Sequence, residues 1–339
     1  MSQTTQRTAP RWLGQLAAAH WTVLFFLATA LSALAVTRTE GMATVLMVVP
    51  FTLLALNLGA AIITLPRFRR DLPLLIFHLS LLALVILLVA SRLTYFQAGA
   101  NLAEGETFSG NWVASEGGPM HHQAARELSF TNLGFRDVWP RQGPFRYTYN
   151  RIQWQSADGQ SHFSVIGNDT PLVLNGYRIY TGPVRGFAPV FRWEDNKGNR
   201  TVGMVHLNNE VVDETPSVNE WQLPSGTRVW AMLDRGAASP REFAPRADRR
   251  ERRNLGADSL PHSLVLRLGD AKRFELRVGE SVDIDNGTLT YLKLTAWMGY
   301  KIIYDPMRPW LLSTVIIGVL SLCWFYLRRV FRGSSWDSD

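Results

Sequence analysis

Four long runs without a single Asp, Glu, Lys or Arg constrain this chain more than any other feature. They are residues 16–36 and 42–65, Leu72–Ser91 and Pro309–Leu327. A bilayer core about 30 Å thick needs roughly 20 apolar residues in a helix rising about 1.5 Å per residue. Each run meets that length, so the sequence predicts an α-helical membrane protein with three transmembrane helices before, and one after, a long polar stretch. The expected partition is 1–95 for the N-terminal tail and first three helices, 96–305 for a separate domain, and 306–339 for the fourth helix and C-terminal tail. Charged residues make up only 19% of the 339, yet mean hydropathy is near zero, because apolar and polar segments are segregated along the chain.

Orientation is read from arginines in short segments next to the runs, which stay on the cytoplasmic side. Arg7 and Arg11 precede the first run, Arg67, Arg69 and Arg70 separate the second and third, and Arg328, Arg329 and Arg332 follow the fourth. The turn Thr37-Arg38-Thr39-Glu40 is balanced. Both termini are therefore expected in the cytoplasm and 96–305 outside, in the periplasm if the membrane is a bacterial inner membrane. Long domains cross irrespective of their own arginines. A cleaved signal peptide ending near Ala33-Leu34-Ala35 is the rival reading, and it would leave the later topology unchanged.

The stretch 96–305 reads as mainly antiparallel β. Short aromatic and β-branched segments such as 162–166, 171–180, 227–233, 263–268 and 273–278 are separated by turn formers. Phe191-Arg192-Trp193 and Thr201–Leu207 flank a polar turn, as in a hairpin. The only cysteine is Cys323, inside the fourth run. The outer domain thus has no disulfide framework, no covalent CxxCH haem attachment and no Cys-based metal site. Residues 234–258 contain seven arginines and no clear period. They read as a solvated loop or as an electrostatic arm for an acidic partner, a lipid headgroup or porphyrin carboxylates. Walker-type glycine loops, HExxH helices and repeats of 20 to 50 residues are absent from the sequence.

The candidate chemistry sits in the apolar runs. His78 lies six residues past Leu72, about 9 Å into the third helix from its cytoplasmic end. An ionisable ring at that depth is costly unless bonded and suggests function. Neutral imidazole ligates haem iron, but the ring could equally bond a neighbouring helix, for which Asn57 is the candidate. His20 enters the membrane in the same direction and could share one iron with His78. Beside Trp21 it also reads as an interfacial residue. His121 and His122, after Met120 in a Gly-Gly-Pro loop, read as surface histidines that retain axial-ligand chemistry.

These segments resemble the ResB family, System II cytochrome c biogenesis proteins that work with a CcsA-type partner. Phe77–Phe108 is similar to the family's histidine-bearing helix, followed by a strand and a Gly-Glu-Thr turn. Leu172–Gly182, Tyr304-Asp305-Pro306 and the three-plus-one helix order are also similar, so the resemblance covers nearly the whole chain. It implies a membrane subunit that helps carry haem across the membrane for attachment to apocytochrome c. His78 would be one axial ligand of a transient haem b, and the partner would supply the second. The tryptophan-rich WWD signature belongs to that partner and is missing here, so the chain is expected to act within a haem lyase complex and not as an enzyme alone. Apocytochrome c, the CcsA-type protein and membrane lipid are the expected partners, with no nucleic acid. The outer domain is shorter than in many members of the family.

Two further readings stand beside this one. In the first, the chain is a non-catalytic membrane scaffold whose outer β domain binds proteins. An ABC-type permease is disfavoured, because those commonly place an outer domain after the first helix.

Overall fold

A computed structural model of the protein describes residues 10–36, 43–122, 125, 127–138, 147–156, 158–207, 217–234, 262–268 and 272–333. Its contacts divide the chain into two compact units, one of Met1–Phe96, Glu116–His122 and Tyr304–Asp339, the other of Gln97–Ser115 and Gln123–Ile303.

The first unit is helical: α1 (Arg11–Leu16), α2 (Ala19–Val36), α3 (Ala43–Thr64), α4 (Pro66–Arg70), α5 (Leu72–Thr94) and α6 (Arg308–Gly333). Four of these, Ala19–Val36, Thr44–Thr64, Leu72–Thr94 and Arg308–Phe331, are long and apolar enough to cross a membrane. They coincide with the four runs, with three adjustments. A short helix, α1, precedes the first run and takes in only its first residue, Leu16, the arginine segment 67–70 coils into α4, and the arginines expected to follow the fourth run lie on the last turns of α6. Pro50 sits inside α3, where it removes one backbone donor. The helices pack in the order α2, α3, α5, α6. A Cβ on Gly318 of α6 would come within 2.8 Å of the Ser80 hydroxyl on α5, so small residues set that close approach. Leu34, Leu320 and Phe331 remain 67%, 63% and 71% exposed. Large apolar surface of this kind is what lipid would cover.

The second unit is antiparallel β. After β1 (Phe96–Ala103) and β2 (Ala114–Gly117) come β3 (Phe130–Val138), β4 (Tyr147–Gln155) and β5 (Ser161–Gly167), which form a three-stranded sheet in that order. The strands β6 (Leu172–Leu174), β7 (Tyr177–Asp195) and β8 (Arg200–Met204) are followed by β9 (Ser217–Gln222), β10 (Arg228–Asp234), β11 (Ser263–Leu268) and β12 (Lys272–Leu276). The last four form one sheet in the order β12-β11-β10-β9. The strands β13 (Ser281–Ile284) and β14 (Gly287–Tyr304) complete the set, with the third sheet ordered β2-β1-β14-β7-β6, β13 on β14 and β8 on β7.

The expected hairpin across 194–200 is present, with Val190↔Met204 and Glu194↔Arg200 in register. The stretch 171–180, read as one strand, is two. Asn175 (φ 50°) and Gly176 (φ 83°) turn it between β6 and β7, the left-handed pair that Asn-Gly favours in tight hairpins. Burial alternates cleanly in β10, where Val229, Ala231 and Leu233 are buried. Together with Leu264 and Leu266 of β11 they pack against Phe191, Trp193, Leu289 and Tyr291 of the long β7 and β14 pair. Each large aliphatic side chain in this core contributes about 1.5–3 kcal/mol by burial.

Candidate functional site

His78 lies on the second turn of α5, just after Pro73, which suits the first turn of a helix because its missing N–H would be unpaired there. The ring is half-buried, and its Nδ1 is 2.7 Å from the carbonyl oxygen of Leu74, one turn back. A carbonyl only accepts, so Nδ1 carries the proton and the lone pair of a neutral ring sits on Nε2. Among the described residues Nε2 has no hydrogen-bond partner. Backbone carbonyls play this part behind ligating histidines, fixing tautomer and ring orientation while raising the basicity of the other nitrogen. Phe68 of α4 lies against the imidazole at 4.3 Å between ring centres, and Phe77 meets it edge-on at 5.3 Å.

Asn57, the candidate partner for His78, is committed elsewhere. It is 1% exposed, accepts from the Thr22 hydroxyl at 2.8 Å and donates to the Leu16 carbonyl at 2.6 Å. An amide in apolar surroundings takes the nearest unpaired groups, and the end of α1 supplies one. His20 is exposed on the first turn of α2, its ring 5.3 Å from Trp21. No ring contact or hydrogen bond joins His20 to His78, and α3 lies between their helices.

The Gly-Gly-Pro loop departs most from its reading as surface. Its backbone caps the C-terminal end of α5: the Gly118 N–H donates to Tyr95 O and the Met120 N–H to Leu93 O, both at 2.9 Å. These carbonyls have no partners within the helix. A Cβ at position 118 would lie 2.2 Å from Leu93 O, so only glycine allows the approach. His121 is thereby held half-buried, stacked on Phe96 at 4.6 Å and edge-on to Tyr304 at 5.3 Å, with Nδ1 3.3 Å from Thr94 O. Burial, and to a lesser degree the neighbouring His122, push its pKa below the usual imidazole value, and the Thr94 carbonyl opposes this. Met120 and His122 are exposed. Arg92 reaches Glu116 at 3.2 Å, and Ser91 donates to Asp305 at 3.1 Å. Asp305 also accepts the Met307 N–H at the start of α6.

Cys323 is exposed on α6. Of the arginine-rich stretch 234–258 only Asp234 is described, and the rest lies outside the described residues. Among the described residues no three His, Cys, Asp or Glu side chains gather as a metal site. The sequence reading missed Phe68 as a neighbour of His78 and the burial of His121. The first had no signal beyond proximity in the chain. The second was signalled by paired glycines, which mark close backbone approach. Compared with models of known protein families and with characterised proteins, the chain matches none.

Proposed function

We propose that the protein is a haem-handling membrane subunit of a System II type cytochrome c maturation complex, with His78 as its ligand to the haem iron. The observation that carries this is the His78 ring itself, with Nδ1 tied to Leu74 O and Nε2 unpartnered on an apolar helix. That arrangement suits one axial ligand to a haem that is cargo and must later be released. A single ligand from this chain, completed by a partner of the CcsA type, holds the macrocycle more weakly than a closed pair would. The iron's potential would follow from the axial ligands and the burial around them.

In this reading the four helices cross a bacterial inner membrane with both termini in the cytoplasm, and the β unit stands in the periplasm, where apocytochrome c receives its haem. The arginines beside the spans support the orientation, and the resemblance of 77–108 to ResB proteins supports the role.

His78→Ala, expressed with its co-purifying subunits, should lower the haem recovered with the complex, read from the Soret absorbance per mole of protein. Haem content equal to that of the unsubstituted protein would overturn the assignment. A tagged pull-down recorded together with its visible spectrum separates haem handling from scaffolding, since a scaffold would bring partners without the pigment.

A further inference from the structure

We infer that the arginine turn α4 receives the propionates of the haem held by His78, so that the macrocycle enters with its carboxylate edge toward that turn. This rests on the haem reading above and adds how the cargo is oriented and what chemistry selects it. Three observations converge. Arg67, Arg69 and Arg70 are all exposed, and among the described residues no carboxylate lies within ion-pair distance of any of them, although Asp71 is their neighbour in sequence. Phe68, in the middle of the turn, lies against the His78 ring at 4.3 Å. The Arg67 guanidinium sits over that same Phe68 ring, 5.0 Å from its centre. The aromatic contact therefore fixes a run of uncompensated positive charge beside the imidazole.

Haem carries two carboxylates on one edge and is apolar around the rest. An iron bound at Nε2 of His78 leaves the apolar edges for the helix surfaces of α5, and the charged edge cannot follow them without losing its hydration. The guanidinium fork matches a carboxylate with two parallel N–H donors, which a lysine ammonium would not reproduce. Phe68 acts as a positioning residue, holding the turn against the ring. Arginines next to a span also favour the cytoplasmic side, and a phosphate headgroup is the competing occupant of the same turn.

The test uses the full-length protein with its co-purifying subunits in zwitterionic nanodiscs, titrated with ferric haem and with haem dimethyl ester, which keeps the iron and ring but has no carboxylates. Arg67→Gln, Arg69→Gln and Arg70→Gln are made singly, so that two arginines remain to hold the topology. The protein should bind haem about tenfold more tightly than the diester, as expected for charge-assisted pairs. At least one of the three variants should narrow that gap without changing affinity for the diester. Equal His78-dependent affinity for the two ligands would overturn the orientation and leave the haem reading standing. A gap unchanged in all three variants would also overturn it. If the arginine substitutions alter only the retention of added anionic lipid, headgroups and not propionates fill the turn. Absence of any His78-dependent spectrum with either ligand would remove the haem reading, and this inference with it.

Discussion

The helical unit and the β unit satisfy their polar side chains in opposite ways. In the helices the partner is local. Thr29, Thr52, Thr64, His78 and Thr94 each bond the carbonyl one turn back, and Ser80, Thr314 and Ser321 the carbonyl three residues back. In the buried core of the β unit the partners are distant in sequence. Asn150 donates to Asn132 Oδ1 and to Gly134 O, both at 2.8 Å, and accepts from the Tyr300 hydroxyl at 2.9 Å. Asn132 in turn donates to Leu102 O, and the Trp297 indole to Leu207 O. Helices this apolar offer one another few side-chain partners, so most of their hydroxyls and the His78 ring fall back on their own helix. A folded β core can afford a buried polar network because strands remote in the chain bring the complementary groups together. The polar groups of the helices therefore say little about tertiary structure, while those of the β unit are part of what specifies it.

The largest expected effect comes from breaking that network. Asn150 is fully buried, and Asn150→Ala would strand the Gly134 carbonyl and the Tyr300 hydroxyl together and take one of two donors from the Asn132 oxygen, which keeps the Gly134 N–H. The expected loss is about 3 kcal/mol, since each stranded buried group costs roughly 1–3 kcal/mol and some relax toward one another. Urea unfolding of the β unit, followed by tryptophan fluorescence, measures it. Burial drives the Tyr300 phenol far above its ordinary pKa, so it stays neutral over the whole accessible pH range and the loss should not depend on pH. A cost below 1 kcal/mol would erase the contrast between the units.

Asn57 is an exception on the helical side, as Ser91 is at the end of α5, since its amide joins α2, α3 and the end of α1 and not its own turn. It allows the two environments to be compared directly. Asn57→Leu should cost about 1 kcal/mol by detergent-driven unfolding, because interhelical hydrogen bonds in membranes average near that value and Thr22 can fall back on its own helix. A loss as large as that for Asn150 would mean that helix order in this unit is specified by polar contacts after all.

How much of this could be read from the sequence follows the same division. The four helices were legible because their signal is local: a run of about 20 apolar residues needs no knowledge of what it packs against. Strand positions at 263–268 and across 194–200 were legible for the same reason. The network around Asn150 was not, because nothing near Asn150 marks Tyr300 as its partner 150 residues away. The Asn175-Gly176 turn did carry a local signal, a dipeptide that favours positive φ at both positions, and was still absorbed into one strand. At the candidate site, His78 stood out as the polar ring deep in the third run. Its tautomer depends on Leu74 O and its neighbour Phe68 on how α4 folds, neither of which is written in composition. His121 looked like a loop residue because its stacking partners, Phe96 and Tyr304, come from both ends of the intervening domain.

The smallest effect concerns a charge, and it tests whether the β unit's preference for distant partners extends to its rim. Glu106 sits in the turn after β1 and meets His206 at 3.5 Å, while the His206 ring stacks on Trp297 at 5.4 Å. Burial tends to raise the Glu106 pKa. The hydrogen bond from His206, the Ala103 N–H at 2.8 Å and the His206 charge outweigh it, so the carboxyl titrates below its ordinary value. A carboxyl whose folded pKa is depressed contributes stability that is fully present above its unfolded value and is lost as pH falls through the folded one. The β unit should therefore weaken on the acid side of the ordinary carboxylate range, and Glu106→Gln, which keeps an acceptor for the Ala103 N–H, should flatten that limb. With the Glu106 side chain 35% exposed, solvent screens the pair and the difference should stay below about 1 kcal/mol. Urea midpoints taken at neutral pH and below the carboxylate range check it. If the variant and the parent lose stability in parallel on acidification, the distant pair contributes nothing, and the rim of the β unit behaves like the helices, relying on the backbone nearest to hand.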